Sequence, residues 1–271
     1  MNTSSFPMSS YLKRIGLQQQ PPTNLAGLKD LVQAHSFSIA FENLDVLADI
    51  PILYSLDQVI EKILNQGRGG YCFEVNGLLS GALDSLGFKY RKLMARVSYG
   101  RPTPGPKTHL VFAVDCDNEE WFVDVGFGGP GLTEPALFRP GLEFTQNGAT
   151  YRFVEEPHNN MHLQRKIAGK WEGLYIISQE PILPIDIEVA NHFVSTWGRS
   201  PFRSIFMCLL PTREGLVTLQ GTDLIHLNEE LVPTQRTPLR NADDLKNTMK
   251  TIFKIDVPTP ISELAWNKVN R

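Results

Sequence analysis

Three side chains able to act together as nucleophile, base and orienting acid stand in order along the chain: Cys72, His109 and Asp124. Cys72 follows the pair Gly69-Gly70 and opens a run in which Val75, Leu78, Leu79, Ala82, Leu83 and Leu86 recur at helical spacing. A thiol in the first turn of a helix sits beside unpaired N–H groups and the positive end of the macrodipole. Both favour thiolate, and helix N-termini can bring a cysteine well below its free pKa of ~8.5. The same N–H groups suit a developing oxyanion. Taken alone, Cys72 reads as a small buried hydrophobe in phase with the apolar stripe, since free cysteines are among the most buried residues. Partners decide between the two readings.

A thiol nucleophile needs a base within hydrogen-bond reach, and the base needs a third group to fix its tautomer. His109 begins one β-branched and aromatic run and Asp124 lies near the end of the next, with Asp115-Cys116-Asp117-Asn118 between them as a hairpin signal. A turn centred on Cys116-Asp117 puts His109 directly opposite Asp124. A turn centred on Asp117-Asn118 puts Asp124 opposite Val111, which shares a face with His109. Either register brings the two groups to one face, whereas a loop of odd length would separate them. Asp124 also interrupts the run Trp121-Phe122-Val123-Val125, where a charged group needs a partner.

Gly126-Phe127-Gly128-Gly129 follows at once. Three glycines in four residues permit close approach of a ligand, although the segment is not a GxGxxG fingerprint. His35, His158, His162, His192 and His226 read as packing or surface residues. The three cysteines, Cys72, Cys116 and Cys208, show no CxxC spacing, so no zinc or other metal site is expected.

The elements that must hold these groups fall into an order. The first ninety residues read as helical, with helices over residues 23–35 (capped by Thr23 or Asn24), 55–66 (Ser55 and Gln58 as a capping box, Gly67 as its stop) and from Cys72 to a stop at Gly87. Strands follow from Lys92, with hairpin turns at Asn147-Gly148 and Ala168-Gly169. Further on, a short helix is expected over residues 187–194, strands over 205–210, 215–219 and 223–227, and helices over 242–253 and 262–269. Helices, then strands, then both together indicate an α+β fold. The stiff run Arg101-Pro102-Thr103-Pro104-Gly105-Pro106 makes a natural rim beside His109.

With 271 residues, two or three subdomains sharing an interior are expected. Hydrophobic residues at 42% and charged residues at 20% suit a globular protein. A net charge of -3 gives no reason to expect nucleic acid or an anionic membrane as a partner. No membrane span and no secretory signal are expected, and three unpaired cysteines fit a reducing, cytoplasmic setting.

Arg68-Gly69-Gly70-Tyr71-Cys72-Phe73-Glu74-Val75-Asn76-Gly77 resembles the nucleophile motif of the arylamine N-acetyltransferases. Thr108-His109-Leu110 and Asp124-Val125-Gly126-Phe127-Gly128 are similar to the family's histidine and aspartate motifs, and Phe41-Glu42-Asn43-Leu44 to its N-terminal signature. The likeness is dense over residues 41–129 and thins beyond, where Asn191-His192-Phe193-Val194-Ser195-Thr196 matches but Trp197-Gly198-Arg199 departs. The resemblance implies a cysteine-protease-like catalytic core in three parts: residues 1–90 helical with the nucleophile, 91–190 a β-barrel-like domain with His109 and Asp124, and 191–271 an α/β lid. It implies acetyl-CoA as co-substrate and an arylamine or arylhydrazine as acceptor, joined by a ping-pong mechanism through Cys72. Gly126, Gly128 and Thr108 are implied to lie beside the coenzyme; Phe127, Phe41 and Val97 to line the acceptor pocket; Glu42 and Arg68 to form a supporting ion pair. A thiol hydrolase, a transglutaminase-like amidase and an amide-forming relative using another acyl donor share the triad chemistry and stay open as alternatives.

Overall fold

Amphipathic spacing gives the N-terminal third its helices. The computed structural model describes residues 6–269. Helices α1 (Met8–Ile15), α2 (Leu25–Ser36), α3 (Leu44–Leu47), α4 (Leu56–Ile60) and α5 (Cys72–Leu86) come first, with a two-residue strand β1 (Phe41–Glu42) between α2 and α3. Asn24, not Thr23, caps α2 through Gly27 N at 3.0 Å; the Thr23 hydroxyl donates to Leu86 O instead. The expected Ser55-Gln58 capping box is not formed, because Ser55 makes no side-chain cap bond. Nor is 55–66 one regular helix: after α4 the chain widens into a π-turn, Glu61–Asn65, in which Gln66 N reaches back to Glu61 O. α5 ends where expected, at Gly87 in the left-handed region (φ 77°).

Eight antiparallel strands follow: β2 (Lys89–Val97), β3 (Lys107–Cys116), β4 (Glu119–Val123), β5 (Ala136–Leu137), β6 (Glu143–Gln146), β7 (Ala149–Glu156), β8 (Asn160–Ile167) and β9 (Lys170–Ser178). Their order, β5-β4-β3-β2-β9-β8-β7-β6, makes a near-closed barrel. Three two-residue turns set its register: Asp117-Asn118, Asn147-Gly148 and Ala168-Gly169, each with positive φ at both positions. Such turns match the right-handed twist of paired strands. Alternation along β3 divides its side chains between two cores. Leu110, Phe112 and Val114 pack with α5, whereas Val111 and Ala113 fill the barrel with Phe122, Phe153 and Tyr175.

The remainder comprises α6 (Pro184–Thr196), β10 (Cys208–Thr212), β11 (Gly215–Gln220), β12 (Asp223–Leu227), β13 (Pro233–Pro238), α7 (Ala242–Thr251) and α8 (Thr259–Val269). β1 completes this second sheet, in the order β1-β10-β11-β12-β13, and a third core joins Ala40, Leu44 and Leu47 to Leu245, Met249 and Phe253. The fold is therefore α+β. We propose three units along these lines; the divisions expected after residues 90 and 190 fall inside β2 and α6, and β1 crosses from the first unit into the sheet of the third. Among the described residues, no helix is long and apolar enough to cross a membrane.

Candidate active site

Cys72 is the first residue of α5, and close backbone packing sets where that helix begins. Gly70 bridges Phe41, with Glu42 N donating to Gly70 O at 3.0 Å. A Cβ at Gly69 would lie 2.3 Å from Ala40 O, so only glycine lets β1 approach this closely. Below the turn lies a buried cluster of five charges. Arg68 Nη2 contacts Glu42 Oε1 and Asp45 Oδ1, both at 2.8 Å, and Lys62 Nζ contacts Asp45 and Glu74, both at 2.7 Å. Burial opposes the charges on Arg68 and Lys62, but the surrounding carboxylates raise both above their ordinary ranges. Glu74 closes the network onto the helix start, accepting Tyr71 N at 3.1 Å. The expected Glu42–Arg68 ion pair is thus one edge of a larger cluster.

His109 and Asp124 meet across the β3–β4 hairpin. Cys116 pairs with Glu119, so Asp117-Asn118 is the turn and Asp124 falls opposite Val111, the second of the two expected registers. His109 Nε2 lies 2.7 Å from Asp124 Oδ2. Asp124 accepts three further bonds: from Tyr175 OH (2.8 Å), Asn76 Nδ2 (3.0 Å) and Gly126 N (2.9 Å). Burial opposes ionisation of Asp124, yet His109 and these donors hold its carboxyl below the usual range. Burial likewise disfavours charge on His109, but Asp124 and then Cys72 push its pKa up to about 10. Cys72 Sγ lies 3.6 Å from the carbonyl of Thr108, the residue that precedes His109. With Nε2 committed to Asp124, Nδ1 is the nitrogen left for the thiol. All three residues are buried, with Cys72 5% exposed.

The glycine turn after Asp124 packs directly on this group. A Cβ at Gly126 would lie 3.0 Å from Cys72 Cα and 2.8 Å from Asn76 Nδ2. Gly128 has φ +69°, and a Cβ there would meet the Phe41 ring at 2.6 Å. Phe127 is half-buried, its ring centroid 5.6 Å from that of His109 and 4.8 Å from that of Tyr175. Thr108 touches Cys72 through its carbonyl, while its hydroxyl donates to Pro106 O. Val97 enters only through strand pairing with Tyr175. A cleft of about 540 Å³ opens over Gly128, Gly129 and Pro130, between barrel and second sheet. A groove of about 460 Å³ reaches Thr108 from the side of α6.

Two residues of the group carried no role in the sequence reading. Asn76 lies inside the motif and one turn after Cys72, a spacing that puts both on one helix face. Its amide donates to Leu110 O and Asp124, and its carbonyl accepts Val125 N at 3.1 Å, joining α5 to both strands of the hairpin. Tyr175 comes from β9, and only the β2–β9 register, Val97 against Tyr175, brings it there.

A thiol, an imidazole and a fully bonded carboxylate thus stand in one buried group, residue types able to support nucleophilic chemistry. A family model described as N-acetyltransferase matches residues 24–261. The chain is 37% identical over 224 residues to the arylamine N-acetyltransferase of Mycolicibacterium smegmatis, covering 80% of this chain and 81% of that one. It is 34% identical over 214 residues to the arylamine N-acetyltransferase / N-hydroxyarylamine O-acetyltransferase of Salmonella typhimurium, covering 78% and 76%. The solved Salmonella typhimurium arylamine N-acetyltransferase superposes with a TM-score of 0.91 at 27% identity, covering 97% of this chain and 98% of the other. The Mycobacterium marinum enzyme, solved in complex with CoA, does so with a TM-score of 0.88 at 31% identity, covering 96% and 98%. The chain belongs to the arylamine N-acetyltransferase family, and its reaction is acetyl transfer.

Proposed function

We propose that this chain transfers an acetyl group from acetyl-CoA to the nitrogen of an arylamine or arylhydrazine, by way of a thioester on Cys72. The relay from Cys72 through His109 to the four-fold-bonded Asp124 carries this reading. Cys72, as a thiolate paired with protonated His109, adds its sulfur to the acetyl carbonyl. The first-turn amides of Cys72 and Phe73 have no intrahelical acceptor, whereas Glu74 N and Val75 N both bond to Tyr71 O. Those two free amides are suited to the oxyanion. His109 then gives its proton to the departing coenzyme A sulfur, leaving acetyl-Cys72. In the second half the amine adds to this thioester, His109 takes the amine's proton, and the Cys72 sulfur is released as the amide forms. Asp124 holds the imidazole throughout without taking a proton itself.

The CoA complex of the Mycobacterium marinum relative supports a coenzyme A thioester as donor. Gly126 and Gly128, packed against Cys72 and Phe41 with no side chain of their own, put backbone beside the path of the donor; Thr108 borders the thiol, and Phe127 offers an aromatic face for a planar amine. We assign Val97 to the edge of that pocket through its pairing with Tyr175. Glu42 and Arg68 act at a distance, fixing the start of α5.

Intact-mass measurement after mixing with acetyl-CoA tests the reading. One acetyl adduct is expected on the wild type, none on Cys72→Ala, and prompt discharge on adding an aniline. An adduct that survives Cys72→Ala, or one lost to water as fast as to aniline, overturns it.

A further inference from the structure

Behind the 126–129 turn lies a polar group that acetyl transfer does not use. Arg165, on β8, is 5% exposed at the junction of the barrel and the second sheet. Its Nη1 donates to Pro130 O at 3.0 Å and to Tyr151 OH at 3.2 Å, and its Nη2 donates to Glu229 O. Nε has no partner among the described residues, and neither has the Thr133 hydroxyl, which is equally buried. Both residues line one cavity of about 20 Å³, lined also by Gly129, Pro130, Asn147, Tyr151 and Leu216. That is room for one small occupant.

The chemistry of the lining decides what kind. Among the described residues, no carboxylate pairs with Arg165, so its charge is buried against carbonyl and hydroxyl dipoles and the face of the Tyr151 ring, 5.5 Å from Cζ, with no full counter-charge. Glu229, the acidic residue of the wall, is exposed and offers its backbone carbonyl. The two groups left over, Nε–H and the Thr133 hydroxyl, can both donate. A buried cation is strongly destabilising when uncompensated. A cation is therefore excluded from the cavity, and a water would leave the guanidinium without a counter-charge.

We propose that this cavity binds a small monovalent anion of chloride size between Arg165 and Thr133. The ion completes a joint made by the barrel (Arg165), the turn after Asp124 (Pro130) and the loop after β12 (Glu229). Gly129, Pro130, Leu216 and Leu231 line both this cavity and the larger cleft, so the ion stiffens the wall that the two share. The site stands on its own geometry, whatever the donor.

Crystals grown in bromide test it directly. An anomalous peak is expected within hydrogen-bonding distance of Arg165 Nε and Thr133 Oγ1; density without anomalous signal means a water and overturns the proposal. Melting of the wild type in chloride against gluconate, at equal ionic strength, is expected to differ by about 2–4 °C in favour of chloride. Thr133→Val, which keeps side-chain volume, should abolish that difference, as should Arg165→Met if it folds. Equal melting of the wild type in both salts, or an undiminished difference in Thr133→Val, overturns the site.

Discussion

Asn76 and Asp124 are joined by a 3.0 Å hydrogen bond, so the helix that presents Cys72 also grips the carboxylate that orients His109. Nucleophile and acid are thereby held at a fixed separation by one turn of α5, not only by the packing of helix on barrel.

Asn76→Ala should loosen that separation. It removes bonds to Leu110 O, Asp124 and Val125 N in a buried site, a loss of about 1–3 kcal/mol in stability. Acetylation should fall by about 10-fold or more, since a displaced catalytic group is penalised at this level. Denaturant melts beside single-turnover acetylation would measure both. A variant that melts lower yet acetylates at the wild-type rate would leave Asn76 with a packing role alone.

The charge state of His109 depends on Asp124. With its pKa at about 10, His109 should stay protonated through neutral pH, contributing stability that is complete below the unfolded value of ~6.5 and lost as pH rises through about 10. Asp124, held low, contributes above its unfolded value of ~3.9 and loses that contribution as pH falls. Asp124→Asn removes the attraction and leaves burial to act, so the imidazole should titrate near or below ~6.5. NMR titration of His109 reads this; a wild-type midpoint already near neutrality would mean that the pair is not ionised.

The two glycines of the turn should differ in what they protect. Gly126→Ala drives a methyl against Cys72 Cα and the Asn76 amide, an overpacking of about 1–3 kcal/mol at the nucleophile itself. Gly128→Ala meets the Phe41 ring and a left-handed backbone instead. Alkylation of Cys72 by iodoacetamide should therefore slow in Gly126→Ala and stay close to wild type in Gly128→Ala, while both acetylate poorly. Equal alkylation of the two variants contradicts this division.

Acid should unfold the protein partly through His35. Burial first, and Arg14 second, depress its pKa to about 3, and Tyr11 OH meets Nδ1 at 2.9 Å. The folded state stays neutral while the unfolded chain protonates below ~6.5, so this one group removes about 2 kcal/mol of stability between pH 7 and pH 5. Replacing the pair, Tyr11→Phe with His35→Leu, should flatten the acid limb of a stability-against-pH curve. An unchanged limb would place the acid sensitivity elsewhere.

What the sequence disclosed follows the range of the interactions. The helix at Cys72, its stop at Gly87 and the turns at Asn147-Gly148 and Ala168-Gly169 depend on neighbours, and they were legible; the first hairpin's turn was narrowed to two centres, of which Asp117-Asn118 is the one formed. The facing of His109 and Asp124 was legible because strand alternation and an even loop leave only one shared face. Tyr175 was not, since its place depends on how β2 pairs with a strand some eighty residues on. The π-turn at Glu61–Asn65 was hidden likewise: its local spacing is helical, and Lys62 meets its carboxylate partners, Asp45 and Glu74, only in the folded chain.

The pairing of Phe41 with Leu209 has a consequence for synthesis on the ribosome. The segment carrying β1 and the apolar face of Ala40, Leu44 and Leu47 emerges early, but its strand partner is made more than 160 residues later. The N-terminal helices therefore cannot mature as an autonomous module while the chain grows. A nascent chain halted before β10 should expose that face to chaperones, and the nucleophile's surroundings become complete only near the end of translation.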